Sequence, residues 1–299
     1  MVYPVLEVDS ATLIGDEQLG TKPKFWFLRD GHEWLFKEAR ANTGEDWAEK
    51  IAAEVAVRTR IDAANVELAQ FRGRRGSASK SFINRNTDNL VHGNELLGRI
   101  TGYDRNKRQR QSDHTLENIM AAVRAYFPER EDILNGVLTD LAAYLVLDAL
   151  IGNTDRHHEN WGLVLSYGSL GGGVQRVGHL WVAPSFDHAS SLGRELRDAR
   201  RQVYLDGGSV AGYVQRGRGG IYLRSNDPFG ANPLHLVEVS VRTYPDYFRQ
   251  ALRQIAETPI ATLEAVVDDV PEARITRPAR ELAREILKYN HSALIQLAP

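Results

Sequence analysis

The sequence predicts an α+β chain in two lobes, a small β-rich N-lobe over residues 1–97 and a mainly helical C-lobe over residues 98–299. Two patterns carry the prediction. Up to residue 83 the apolar residues come in short runs broken by Gly, Asp and Asn, with one helix-period stretch at 46–60. Beyond Gly98 the helical period dominates. Size agrees: 299 residues, 42% hydrophobic and 25% charged, suffice for a sizeable core and argue against disorder.

In the N-lobe, residues 1–37 read as short strands joined by polar loops. Between Ile14 and Phe27, Gly15 and Gly20 permit a tight turn, and Thr21, Lys22 and Lys24 supply hydroxyl and ammonium donors. Such a loop can cover phosphates through its backbone amides, although it is not a G-x-G-x-x-G loop. Phe25–Leu28, a turn at 29–32 and residues 33–38 form a hairpin pattern. Alternation there places Trp34 and Phe36 on one face, with Leu35 and Lys37 on the other.

The helix expected at 46–60 has Trp47, Ile51 and Val55 at i, i+4 and i+8. Glu54 lies about 20° from Trp47 on the helical wheel, so it points with the apolar stripe and calls for a cation. Lys37, one strand earlier, is the expected partner; Glu49 is expected on the solvated side. Strands at 66–71 and 80–83 flank a basic hairpin tip containing Ser77 and Ser79. Residues 84–94 are polar and read as the hinge between the lobes.

In the C-lobe, helices are expected at 115–126 and 131–151. The second half of the latter is apolar all round, which marks a buried central helix, with Asp148 inside it as a hydrogen-bonded structural residue. A strand beginning at Trp161 and another at 174–182 follow, and residues 194–233 show little periodicity. Helices at 245–257, 260–267 and 279–296 close the chain.

Three polar positions after the central helix suggest chemistry. Asp155 and Asn160 are five residues apart in Gly152-Asn-Thr-Asp-Arg-His-His-Glu-Asn-Trp-Gly, and Asp187 follows in Ala183-Pro-Ser-Phe-Asp-His-Ala-Ser-Ser. A carboxylate that accepts a hydroxyl proton, with an amide oxygen and a second carboxylate that hold Mg²⁺, suits phosphoryl transfer from ATP. Lys37 would neutralise phosphate charge, Glu54 would hold Lys37, and the Gly20-Thr21-Lys22 loop would close over the phosphates. A rival reading gathers His157, His158, His179 and His188 around a transition metal, but no H-E-x-x-H spacing supports it. No G-x-S-x-G elbow points to a hydrolase.

Bulk charge and cysteine content set the expected surroundings. A net charge of −2 gives no overall bias toward nucleic acid or an anionic membrane, so neither is an expected partner. The absence of cysteine removes thiolate chemistry and suits the reducing cytoplasm. The N-terminus lacks a signal-peptide pattern, and no segment is read as a membrane span.

The two motifs together resemble the HipA-like serine/threonine kinases, whose two-lobed fold is distantly related to protein and phosphatidylinositol kinases. The resemblance implies that Asp155 matches the catalytic aspartate, Asn160 and Asp187 the metal ligands, and Lys37 the ATP lysine. It implies ATP and Mg²⁺ as cofactors and a protein substrate, with translation proteins among the family's targets. An antitoxin is the further candidate partner. Some members phosphorylate a serine near the phosphate loop; here Thr21, Ser77 and Ser79 are the candidates. No His-Arg-Asp precedes the motif, and His188 rather than glycine follows Asp187, unlike a eukaryotic-type protein kinase. A small-molecule or lipid kinase, and a weakly catalytic nucleotide-binding module, are the alternative readings.

Overall fold

A computed structural model describes residues 1–16, 23–100, 102–107, 110–127, 130–169 and 175–298. The N-terminal half is a six-stranded sheet. Its strands are β1 (Val5–Glu7), β2 (Leu13–Asp16), β3 (Lys24–Arg29), β4 (His32–Glu38), β5 (Val66–Phe71) and β6 (Arg74–Lys80), in the order β1-β5-β6-β4-β3-β2. The β1–β5 pair is parallel and the rest are antiparallel. The expected alternation in β4 holds: Trp34 and Phe36 are buried with Phe27, Ala69 and Ala78 on one face. Phe25 stacks on Phe36 at 4.9 Å between centroids. Lys37 then takes the opposite face, toward the second half of the chain.

Helix α1 (Glu45–Arg58) packs on β5 and β6. It is buried on nearly every side: Glu45, Asp46, Glu49 and Lys50 are as inaccessible as Trp47 and Ile51. Its apolar residues join the large core that continues into the helical half.

β6 starts at Arg74, so the hairpin tip is Arg72-Gly73 alone. Ser77 is buried within β6, opposite Lys37 on one side and Leu68 on the other, and Ser79 lies opposite Leu35. Neither serine sits on an exposed tip. β7 (Asp88–His92) leaves the first sheet and pairs with β8 (Gly162–Ser169), which pairs with β9 (Gln175–Val182). The chain therefore passes from the first sheet to the second over residues 81–87.

The helical half contains α2 (Gly93–Leu97), α3 (Leu116–Tyr126), α4 (Glu131–Ile151), α5 (Asp198–Asp206), α6 (Val210–Arg216), α7 (Pro233–Thr243), α8 (Pro245–Glu257), α9 (Ile260–Asp268) and α10 (Arg277–Ile295). α4 is the central helix, packed against α7, α8 and α10. Contrary to the reading that no segment is apolar enough, α4 has the length and composition to cross a membrane; most of it is buried in this core. Each large side chain it buries contributes about 1.5–3 kcal/mol. α4 stops at Gly152, whose φ of +65° reverses the chain at low cost for glycine, and the polar motif begins there.

Candidate active site

The loop after α4 is held from beneath by a buried ionic network. Arg156 donates to both oxygens of Asp148 at 2.7 and 2.8 Å, to the Asn160 carbonyl at 2.6 Å and to Ser185 Oγ at 2.7 Å. Asn153 donates to Asp148 Oδ1 at 2.8 Å, and its Oδ1 accepts from the Asp155 amide at 3.1 Å. One buried carboxylate thus fixes both ends of the 153–160 turn, as its structural reading required. Ser185 Oγ lies 2.7 Å from His188 Nε2. Burial and the nearby Arg156 push His188 well below the ordinary histidine range, so it is a neutral scaffold group.

On this base Asp155 projects with about half its side chain exposed. Asn160 donates from Nδ2 to the Asp155 carbonyl at 2.8 Å, so its amide oxygen is the atom that could hold a metal. Asp187 stands on a left-handed backbone, φ +61°, which is uncommon for a non-glycine residue. Lys37 Nζ lies 3.3 Å from Asp187 Oδ1. The structure thus brings Lys37, Asp155, Asn160 and Asp187 to one cleft between the halves.

Charges in the cleft are tuned against one another. Partial withdrawal from water raises the Asp155 carboxyl; His157 opposes this, Asp187 adds to it, and Arg194 and the Ser190 hydroxyl oppose it. Burial alone would lower the Lys37 ammonium, but Asp187, Glu49 and Glu45 outweigh it and hold the lysine above its ordinary value. A charged lysine and a proton-accepting carboxylate are what phosphate binding and hydroxyl activation need.

Glu54 is elsewhere. It accepts from Lys50 Nζ at 2.8 Å, and Lys50 also reaches the Val66 carbonyl and Glu67. The expected Lys37–Glu54 pair is not formed, because α1 is enclosed on both sides and Lys50, one turn away, meets Glu54 first. The helix carboxylate beside the cleft is Glu49, whose Oε1 accepts from the His188 amide at 3.1 Å. Placing Glu49 on a solvated face assumed a helix with only one covered side. The signal available was the i, i+4 pair Glu45 and Glu49, which puts two carboxylates on one stripe.

Two more contributors were missed. Ser190 Oγ donates to Asp155 Oδ2 at 3.4 Å and accepts from Arg194 at 2.9 Å. Arg194 also donates to Glu45 Oε1 at 2.9 Å, so a polar chain runs from the first turn of α1 to Asp155. Gly20, Thr21 and Lys22 lie outside the described residues. The histidines do not converge: His179 is exposed on β9, His158 is buried with Nδ1 2.7 Å from the Tyr103 hydroxyl, and no group of three or more metal-binding side chains occurs among the described residues.

The family model of the HipA-like C-terminal domain matches residues 18–226, a span that holds the cleft residues. The chain belongs to that family. The HipA-like fold extends over the whole chain. It superposes on a Helicobacter pylori proinflammatory kinase, CtkA, with a TM-score of 0.77 at 17% identity, covering 98% of this chain and 96% of that one. It also superposes on HipA of Shewanella oneidensis MR-1, solved with HipB and operator DNA, with a TM-score of 0.54 at 12% identity. That alignment covers 97% of this chain and 65% of HipA. At these identities the likeness shows a kinase-like fold. No curated protein matches the sequence.

The donor set fits the group that such a fold implies. An amide oxygen and a carboxylate are hard ligands suited to Mg²⁺, and a buried ammonium beside them suits a polyphosphate.

Proposed function

We propose that this chain is an ATP-dependent kinase that transfers the γ-phosphoryl group to a serine or threonine hydroxyl of a protein. The observation that carries the proposal is the joint geometry of Lys37 on Asp187 and Asn160 on the Asp155 backbone. Lys37 would neutralise nucleotide phosphates, while Asn160 and Asp187 would hold Mg²⁺. Bound Mg²⁺ supplies charge neutralisation on the phosphates. Asp155 orients the acceptor hydroxyl and takes its proton; such a base contributes roughly 10²–10⁴-fold. Arg194 and Ser190 hold Asp155 in place.

The acceptor class rests on a second observation. Beside Asp155 lies a cavity of about 280 Å³ lined by Thr154, Ser190, Tyr204, Tyr213, Arg216 and Leu234. A serine or threonine side chain presented to Asp155 has room to enter it. Because the Shewanella relative is solved with HipB, an antitoxin partner here belongs to the same proposal, as does a cytoplasmic setting for a chain without cysteine.

The test is incubation with γ-labelled ATP and Mg²⁺ in cell extract, followed by separation of protein from small molecules and phosphoamino-acid analysis. Label on serine or threonine is expected. Label confined to small molecules would overturn the protein acceptor, and no transfer at all would overturn the kinase.

A further inference from the structure

Away from the cleft, a cavity of about 430 Å³ lies where the first turn of α1, the start of α5 and the start of α10 meet. Arg75, Arg197, Arg201 and Arg274 line it, with the hydroxyls of Thr43 and Thr276. Arg201 and Arg274 are more than nine-tenths buried. The carboxylates available are too few. Asp46 is shared between Arg75 and Arg274 at 2.9 and 3.2 Å, and Asp198 takes Arg201 at 2.8 Å. Arg197 has no ion-pair partner among the described residues. Four guanidinium groups against two carboxylates leave two positive charges in excess around one hollow. Arginine stays protonated, so this excess cannot be relieved by losing a proton.

Helix geometry adds to the field. α1, 14 residues long, begins at the cavity on Gly44 with no side-chain cap, and a Cβ on Gly44 would lie 2.0 Å from the Trp47 ring. A side-chain cap is therefore sterically barred; Glu45 and Asp46 are the acidic groups in that first turn, and both are already paired with arginine.

We infer that this cavity is a binding site for a phosphate dianion, either free phosphate or the phosphoryl group of a phosphorylated residue of this chain. A doubly charged tetrahedral anion matches the excess charge, and planar guanidinium groups bind it through paired N–H donors. The ligand would tie α1 to α5 and α10. α1 carries Glu45 and Glu49, which reach Arg194 and the His188 amide, so an occupied site would hold the cleft's supporting helix in register.

The test uses the full chain carrying Asp155→Asn, which blocks self-phosphorylation, with its cleft filled by a non-hydrolysable ATP analogue. Thermal unfolding and calorimetric titration are followed against inorganic phosphate and against chloride at equal ionic strength. A saturable stabilisation by phosphate alone is expected, weakened about tenfold or more by adding Arg197→Ala and abolished by Arg197→Glu. Arg197 is exposed and unpaired, so these changes leave the fold intact. Equal stabilisation by chloride, no response, or the same response in the Arg197 variants overturns the site. The two sources separate in the otherwise unaltered chain. If mass spectrometry finds it phosphorylated and it ignores added phosphate, its own residue fills the site. If it responds as Asp155→Asn does, the ligand is free phosphate. Because binding is read without turnover, the result stands apart from the kinase proposal.

Discussion

Glu49 and Glu54 separate what the chain's residues reveal singly from what only packing reveals. Lys37, Asp155, Asn160 and Asp187 stand out in the sequence because each sits in a local pattern: strand alternation for the lysine, and short motifs for the others. Which helix carboxylate serves the cleft does not, because it depends on the loop at 187–194 covering a second side of α1. The expected outcome is that Glu49→Gln lowers kcat/KM for ATP by about tenfold or more, the cost of a charge-assisted contact. Glu54→Gln should change activity by less than about twofold and cost on the order of 1 kcal/mol, since Lys50 keeps Glu67 and the Val66 carbonyl. Steady-state kinetics with denaturant unfolding of both variants checks the pair.

Arg156 poses a sharper residue-level case. Replacing it with Met leaves Asp148 buried without its cation, a change that typically costs 3–5 kcal/mol, about the largest expected for a single site here. Denaturant unfolding measures it, and a cost under about 1 kcal/mol would remove Arg156 as the anchor of the loop.

At the scale of elements, long periodic helices and turn-bounded strands were the readable part: α3, α4, α8, α9 and the β3–β4 hairpin all lie where periodicity puts them. α5, α6 and the start of α7 were not readable. They are short or rich in Arg and Gly, and their position is set by packing around α10 rather than by an apolar stripe. β6 was misplaced because Gly and Ser carry little strand preference, and the reason for glycine is tertiary. A Cβ on Gly76 would come within 2.2 Å of the Lys37 carbonyl and 2.8 Å of the Phe36 ring. Gly76→Ala is therefore expected to displace β4, cost about 1–3 kcal/mol and weaken nucleotide binding through Lys37. Calorimetric titration with an ATP analogue beside thermal unfolding measures both effects; unchanged affinity would dissociate the strand from the site.

For the whole molecule, the two-lobed α+β architecture followed from composition along the chain, while the crossing at residues 81–87 depended on β7 pairing with β8. A second link between distant segments controls acid stability. His114 is buried, with Nδ1 2.8 Å from the Gly220 carbonyl and Nε2 accepting from Trp161 Nε1 at 3.1 Å. Burial first, against the Gly220 hydrogen bond, lowers its pKa to about 3. A depressed folded value means the unfolded chain takes up the proton more readily. Stability is then fully present above the ordinary histidine value of about 6.5 and is lost as pH falls toward 3. Acidification from pH 7 to 5 should cost about 1–2 kcal/mol at this residue, and His114→Gln should flatten that part of the profile. Unfolding curves over the range decide it.

The central claim is that Asp155 is the proton acceptor of a phosphoryl-transfer site completed by Lys37, Asn160 and Asp187. Its most direct test measures γ-phosphoryl transfer with Mg²⁺ and nucleotide binding side by side in the unaltered chain and in Asp155→Asn. Transfer reduced by about 10²–10⁴-fold with nucleotide affinity nearly unchanged is the predicted result. Equal transfer by both proteins would contradict it.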